Sequence, residues 1–477
     1  MITEKMIDEW IEAHHEEMIE ELMEWVRHPS VSRADLAAPN APYGPDCRRM
    51  LDFALQRSGE FGFRTADHEG YCGSVYYGEA AEEIGLYAHL DVVPEGENWI
   101  YSPYEPVVKE GFVIGRGAND NKAAAIMGLF LLRFFKEQGL EPKKTIRLMF
   151  GCAEETGMDD FRSYRAFGGE TPPFGIVADG GFPVCFAQKG SWNADILVPK
   201  GADLLEFKAG NVRNAVPGTA EMLIKADAET AQEALRKYLE NAPQDAGKVR
   251  IEAGEIPGTV RLFASGKAGH AAGPANADNA AIRLARTADQ AFSPLGIDLA
   301  GLSFIVGTFE KTDGAGMGFA CADEASGELT SNAGVFRTEG DFIRVLLDIR
   351  YPVSAKIDEM TEAFKAKLEK EGVKLASLNV ERPFCMDPKD ERIVLLQQIY
   401  RDLTGDEREP YSMGGGTYSR VIPGALTFGP GLAHDAPDFL PEGHGDCHGP
   451  DETQHIGAMM KAFKIYLLSF IKLTEAE

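Results

Sequence analysis

The chain is short of cysteine, short of positive charge and without a long apolar run. Its seven cysteines, among 477 residues, are an odd number with no C-x-x-C pair. They supply neither a disulfide framework nor a thiolate zinc site, and they fit reduced thiols in a cytoplasm. Lys and Arg total 48 against 75 Asp and Glu, a formal net charge of −27. That balance argues against nucleic acid as a partner, because phosphates are bound by clustered cations, and against an anionic membrane surface for the same reason. The longest apolar run, residues 123–132, ends at Arg133 and is too short to cross a bilayer. The first ten residues mix charged and apolar side chains and lack the apolar core of a signal peptide. The expectation is a soluble cytoplasmic protein.

What is present has ordinary globular composition, and its length calls for two or three folding units. Residues 1–27 carry Met6, Trp10, Ile11, Met18, Leu22 and Trp25 at helical spacing, stopped by Pro29. Residues 84–91, 145–152 and 174–179 read as buried strands, with an apolar helix at 122–135 between two of them. That alternation predicts an α/β layer with a mixed, largely parallel sheet flanked by helices. Sites in such sheets lie beyond the carboxyl ends of the strands. His89, Asp91, Glu154, Glu155 and Asp179 all fall there.

From about 186 to 384 the texture changes. Alternating segments at 219–226 and 342–353 interleave with amphipathic helices at 228–239, 277–292 and 357–371, which predicts an α+β insertion. Beyond 385 the α/β pattern returns and closes on a helix at 453–473. The expected organisation is one discontinuous domain, 1–185 with 385–477, and one inserted domain, 186–384.

Four segments concentrate metal-ligand residue types. They are Ala88-His-Leu-Asp-Val-Val-Pro94, Gly115-Arg-Gly-Ala-Asn-Asp-Asn-Lys122, Gly151-Cys-Ala-Glu-Glu-Thr-Gly157 and Cys447-His-Gly-Pro-Asp-Glu452, with Asp179 between the last two. Imidazoles mixed with carboxylates suit Zn²⁺, Mn²⁺ or Co²⁺, and one carboxylate can give an oxygen to each of two ions. Each residue also has a plainer reading. Asp120 could cap a helix, Glu154 and Glu155 could be solvated charges, and Asp179 could belong to a turn. His448 is one of three histidines in a Gly- and Pro-rich stretch.

Taken in this order, H-x-D-V-V-P, G-R-G-x-x-D-x-K and E-E-x-G resemble the M20 family of dinuclear metallopeptidases. The long insertion, Gly414-Gly-Gly-Thr-Tyr-Ser-Arg420 and His448-x-x-Asp-Glu452 resemble its bacterial dipeptidase branch. The resemblance implies two divalent ions, Zn²⁺ first with Mn²⁺ or Co²⁺ as alternatives. His89 and Asp179 would hold one, Glu155 and His448 the other, and Asp120 would bridge. Glu154 would be the general base, and Asp91 would hold the second nitrogen of His89. In the insertion, His270 of Gly266-Lys-Ala-Gly-His270 would stabilise an oxyanion. Asn214, Arg350 and the run Gly414, Gly415 and Gly416 would grip the substrate's carboxylate. For Arg350 an ion pair with Asp348, on the same strand face, is the plain rival.

The implied activity is hydrolysis of dipeptides or very short peptides with free termini. A deacylase acting on N-acyl amino acids and an inactive peptide-binding relative are the alternatives. The insertion is roughly twice one ferredoxin-like lobe of about 100 residues. A second lobe would stand in for a partner subunit and make the protein a functional monomer. Two positions depart from the family pattern, Asn121 and Ala123, where Asp and Gly are common.

Overall fold

Three apolar runs fold as adjacent parallel strands because both of their faces are covered. The computed structural model describes residues 2–475. Met1, Ala476 and Glu477, at the outer ends of the expected first and last segments, lie outside the described residues. Strand Glu83–His89 is central, parallel to Thr145–Gly151 on one side and to Gly175–Val177 on the other. Successive residues point to opposite faces. Leu86 and Leu148 press on Gly128 of helix Ala123–Glu137, where an added Cβ would meet Leu148 at 2.7 Å. Tyr87, Met149 and Val177, one residue further on, pack with Phe161 and Tyr418 on the other face.

Ala425–Phe428 extends the parallel set beside Gly175–Val177. Antiparallel strands flank it, Cys72–Tyr77 and Arg64–His68 at one side and Val184–Gln188 at the other. The sheet is therefore mixed, parallel at its centre, as its sequence pattern predicts. Helices Glu4–Val26, Ala123–Glu137 and Ile456–Leu473 pack together. Trp10 anchors them through ring contacts with Phe130, Phe134 and Phe463.

One element differs from expectation. Residues 453–455 are not the start of the last helix but a short strand, Thr453–His455, and the helix begins at Ile456. Their backbone pairs antiparallel with Phe112–Ile114, which in turn pairs with Val107–Lys109. His455 then caps the helix, its Nδ1 accepting from the Ala458 amide at 2.9 Å.

The chain divides into two compact units. The first comprises Met1–Phe186, Met386–Tyr411 and Gly416–Glu477, and the second Ala187–Cys385 with Ser412–Gly415. Ser412–Gly415 thus interrupts the last segment. It joins the second unit through the Lys189 amide bonded to Met413 O at 3.0 Å and Arg350 Nη1 bonded to Gly414 O at 3.1 Å.

The second unit is built on an eight-stranded antiparallel sheet. One half runs Val249–Ala253, Thr259–Ser265, Thr219–Lys225, Leu204–Ala209 and the other Thr330–Glu339, Phe342–Tyr351, Gly190–Pro199, Lys374–Glu381. The halves join where Lys208 and Ala209 pair with Arg337 and Phe336. Helices Ala228–Asn241 and Ala280–Phe292 contact strands of the first half, Leu302–Phe309 and Ile357–Lys370 strands of the second. This is the expected α+β insertion, two lobes sharing one sheet. Among the described residues no helix is long and apolar enough to cross a membrane.

Candidate active site

His89 is the last residue of the central strand, opposite Gly151 at the end of its neighbour. Glu154 and Glu155 follow that neighbour within one turn, and Asp179 follows Gly175–Val177 by two residues. Three parallel strands thus deliver their polar residues to one rim. The His89 ring is 1% exposed. Its Nδ1 lies 2.9 Å from the carbonyl oxygen of Asp91 and 3.4 Å from Asp91 Oδ1. The short contact is with the backbone, because the Asp91 carboxylate is otherwise engaged. It accepts from the Glu154 amide at 3.1 Å and the Glu155 amide at 3.0 Å. Asp91 therefore orients both the imidazole and the turn that carries the paired glutamates. Asp160 holds the same turn from below, accepting from the Cys152 and Ala153 amides and from the Tyr418 hydroxyl.

Asp120 and His448 reach this rim through the small sheet. Pairing of Ile114 with Thr453 starts the two segments side by side, and the Gly115 amide donates to Glu452 O at 2.9 Å. Asp120 then lies with Oδ1 2.9 Å from His89 Nε2 and Oδ2 3.0 Å from His448 Nε2, a residue 328 positions away. His448 Nε2 is also 3.0 Å from Glu155 Oε1, and His89 Nε2 is 3.9 Å from Asp179 Oδ1. Two groups of donor atoms result, His89 with Glu154 and Asp179, and His89 with Asp120 and Glu155, each within 4.8 Å. The first unit brings together all five residues read as ligands, together with Glu154 and Asp91.

The structure accounts for Asn121. Its Oδ1 accepts from the His89 amide at 3.2 Å, while Nδ2 donates to Ala178 O at 2.7 Å and to Asp179 Oδ1 at 3.4 Å. An amide offers the donor and the acceptor that this position needs; an ionised carboxylate only accepts. Ala123 is fully buried at the start of its helix.

The electrostatics show whether metal ions fit. Burial pushes Asp179 up to about 7, and burial followed by the Asp179 charge drives Glu154 well above the usual carboxylate range. Burial raises Glu155 as well, whereas at Asp120 the bonds from His448 and His89 outweigh burial and hold it below. Hydrogen bonding to Asp120 and Glu155 lifts His448 to about 10. At His89 burial works against protonation, but Asp120 and Asp91 prevail and its pKa rises well above ordinary. A cluster that must retain protons on imidazoles and carboxyls has surplus negative charge for its burial. Divalent cations would remove that surplus, and the imidazole and carboxylate donors fit them.

The remaining candidates lie mostly in the second unit. Ala215 pairs with exposed His270, and the Ala271 amide donates to Asn214 O at 2.9 Å. Asn332 Nδ2 fixes the Asn214 turn by donating to Arg213 O and Ala215 O. Arg350 makes the bidentate ion pair with Asp348 that was its plain reading, at 2.6 and 2.8 Å, and its Nη1 also reaches Gly414 O. An added Cβ at Gly414 would sit 3.4 Å from Ala272 Cβ. Asn214, His270, Arg350 and Gly414 thus share one neighbourhood, with Gly415 next in chain. Gly416 falls in the first unit, where the Arg420 guanidinium occupies the space beside its Cα.

Four residues with structural parts at the rim were not singled out by their chemistry. Arg116 and Glu452 stand inside the motifs, beside Lys122 and Asp451, and their charge there was the available signal. For Asp160 and Tyr418 nothing in the sequence marks the role.

The comparisons with known proteins follow the same line. "Putative dipeptidase YtjP" of Bacillus subtilis (strain 168) is 29% identical over 472 residues, covering 96% of this chain and 98% of its own. A "Putative dipeptidase" of Staphylococcus epidermidis is 28% identical over 477 residues, covering 97% and 98%. The crystal structure of aminopeptidase PepT from Bacillus cereus shares the fold with a TM-score of 0.57 at 14% identity, covering 97% of this chain and 99% of that one. The model of peptidase family M20/M25/M40 matches residues 85–471. With the match spanning most of its length, the chain belongs to peptidase family M20/M25/M40 and is a peptide hydrolase.

Proposed function

We propose that the protein is a dinuclear metal-dependent dipeptidase acting on dipeptides or very short peptides with free termini. The observation that carries this reading is Asp120, with one carboxylate oxygen at each of two imidazoles. His89 and Asp179 would hold one cation, Glu155 and His448 the other, and Asp120 both, with Zn²⁺ the first expectation and Mn²⁺ or Co²⁺ alternatives. Such ions supply Lewis acidity and a water acidic enough to attack at neutral pH. Glu154 takes the water's proton on its carboxylate and passes it to the leaving amine. Asp91 keeps His89 and the Glu154 turn in register through the contacts described above. His270 serves the developing oxyanion, and Asn214, Arg350 and Gly414, Gly415 and Gly416 serve the free carboxylate of the substrate, which restricts it to short peptides.

Full-length similarity to proteins named as dipeptidases supports this choice over a deacylase. Two lobes within one chain support action as a monomer, and the free thiols Cys47, Cys72, Cys152, Cys321 and Cys447 support a reducing, cytoplasmic setting.

The test pairs elemental analysis of protein purified without added metal with a panel of dipeptides and N-acetyl amino acids. About two divalent ions per chain and faster turnover of dipeptides are expected. Preference for the N-acetyl compounds would replace this reading with the deacylase. Sedimentation should show an active monomer; an obligate dimer whose inactive mutants complement one another would overturn that part.

A further inference from the structure

Glu452 and Arg116 have no part in the chemistry above, yet both side chains are only 1% exposed. Arg116 Nη1 donates to Glu452 Oε2 at 2.7 Å across 336 positions of sequence. The same Oε2 accepts from the Gly117 amide at 3.0 Å. Oε1 accepts from the amides of Asn119 and Asp120, both at 2.9 Å. Arg116 Nη2 donates in turn to Glu95 O at 3.2 Å and to His448 O at 3.4 Å. Nearly every partner of this pair lies in the segment that ends in Asp120 or in the one that contains His448.

We propose that Glu452 is a positioning residue that aims the Asp120 carboxylate at its two imidazoles and, through Arg116, ties that aim to the backbone of His448. The proposal rests on the two-cation reading and extends it. Asp120 has φ −116° and ψ 93°, and Asn121 is likewise non-helical, so no regular helix dictates where this turn points. Three of its amides are fixed by one carboxylate instead. Four donors fill the acceptor capacity of an ionised carboxylate. A glutamine has one acceptor oxygen and would turn its own NH₂ toward amide or guanidinium donors.

The neighbouring residue does similar work on the other side. Asp451 accepts from the Ile100 and Tyr101 amides and contacts His444 Nδ1, while its own φ of +51° and that of His448, +64°, lie in the left-handed region. That backbone is strained for residues with a Cβ and persists only where surrounding bonds over-determine it. The plain rival is that Glu452 is merely a buried ion pair that stabilises the fold. Glu21, itself buried and bound to partly exposed Arg57 and to Trp25 in helix Glu4–Val26, is an Arg–Glu pair with no link to the rim and provides the control.

The test titrates Co²⁺ into the metal-free full-length chain, followed by calorimetry and by the visible ligand-field spectrum. Wild type should take up two equivalents. Glu452→Gln should bind at least one of them about tenfold or more weakly, with an altered spectrum, and kcat on a dipeptide should fall about 10–100-fold while KM moves less than about twofold. Glu452→Asp keeps the charge opposite Arg116 but is one methylene too short to hold both amide pairs. It should show the same change to a smaller degree, and it decides the matter if the glutamine variant does not fold. Glu21→Gln should lower Tm and leave both Co²⁺ affinities in place. A folded Glu452 variant that binds both ions like wild type, or that loses no more than Glu21→Gln, overturns the positioning role alone. Wild type taking up fewer than two ions overturns the two-cation reading and this role with it.

Discussion

The two units set His89 and His270 in opposite surroundings. In the first, the central strands are buried on both faces, with His89 and Asp91 at or just beyond the end of one and Arg116 and Glu452 beside the small sheet, all four at most 1% exposed. Each must then be satisfied from within, so every one has several fixed partners. In the second, strand Gly190–Pro199 buries Trp192, Ala194, Ile196 and Val198 while the residues between them stay half-exposed. Its candidate histidine, His270, is exposed and makes one side-chain bond, from the Ala272 amide to Nδ1 at 3.1 Å. Burial over-determines geometry, and exposure leaves water to complete it. Under the proposed function, the chemistry that needs charges held in place falls to the first environment, and recognition that must admit and release a ligand falls to the second.

Substitutions sharpen this contrast. Glu154→Gln should have the largest effect, a fall in kcat of about 10²–10⁴-fold with cation content unchanged, read by steady-state kinetics beside elemental analysis. Undiminished turnover would remove Glu154 from the role of base. Arg350→Met should act on recognition and not on the cations, raising KM about 10–100-fold, the worth of a charged hydrogen bond, and leaving the Co²⁺ stoichiometry intact. It also strands buried Asp348, so Tm should drop. Loss of cations in this variant would break the division of labour between the units.

Asn121→Asp removes the donor to Ala178 O and sets a charge beside Asp179. The metal-free protein should lose about 1–3 kcal/mol in urea unfolding, and added Zn²⁺ should recover part of it. A variant as stable as wild type would show that the amide is not needed there.

The smallest effect concerns pH. Without cations, folded Asp179 holds its proton up to about 7, whereas the unfolded residue releases it near the ordinary carboxylate value. Folded His448 likewise keeps a proton up to about 10 that the unfolded imidazole gives up earlier. In both windows the folded state binds more protons, so stability should fall as pH rises. Urea midpoints of the metal-free protein should be lower at about pH 8 than at about pH 5.5, and cations should flatten the difference. A midpoint that climbs with pH would contradict the picture of trapped negative charge.

Much of the fold and of the rim was legible because its signals are local. The buried strands at 84–91, 145–152 and 174–179 announce themselves by short, mainly apolar runs, and the structure moves their ends by at most two residues. The strand Thr453–His455 was not legible, since three residues carry no period and its partner lies far away in sequence. Ser412–Gly415 escaped for a similar reason, because its allegiance depends on bonds to Lys189 and Arg350. Arg350 itself shows that spacing puts it on the face of Asp348 but does not say which partner holds it.

By itself the sequence determined the kinds of chemical group and their order, and the sheet whose strand ends would carry several of them, since residue type and hydrophobic period are written position by position. Only the tertiary structure decided that one aspartate turns its two oxygens to two histidines and that a glutamate from the far end of the chain holds its backbone. Those facts are angles and distances between segments, and they come into being when the small sheet closes and the apolar core leaves each buried charge one way to be satisfied.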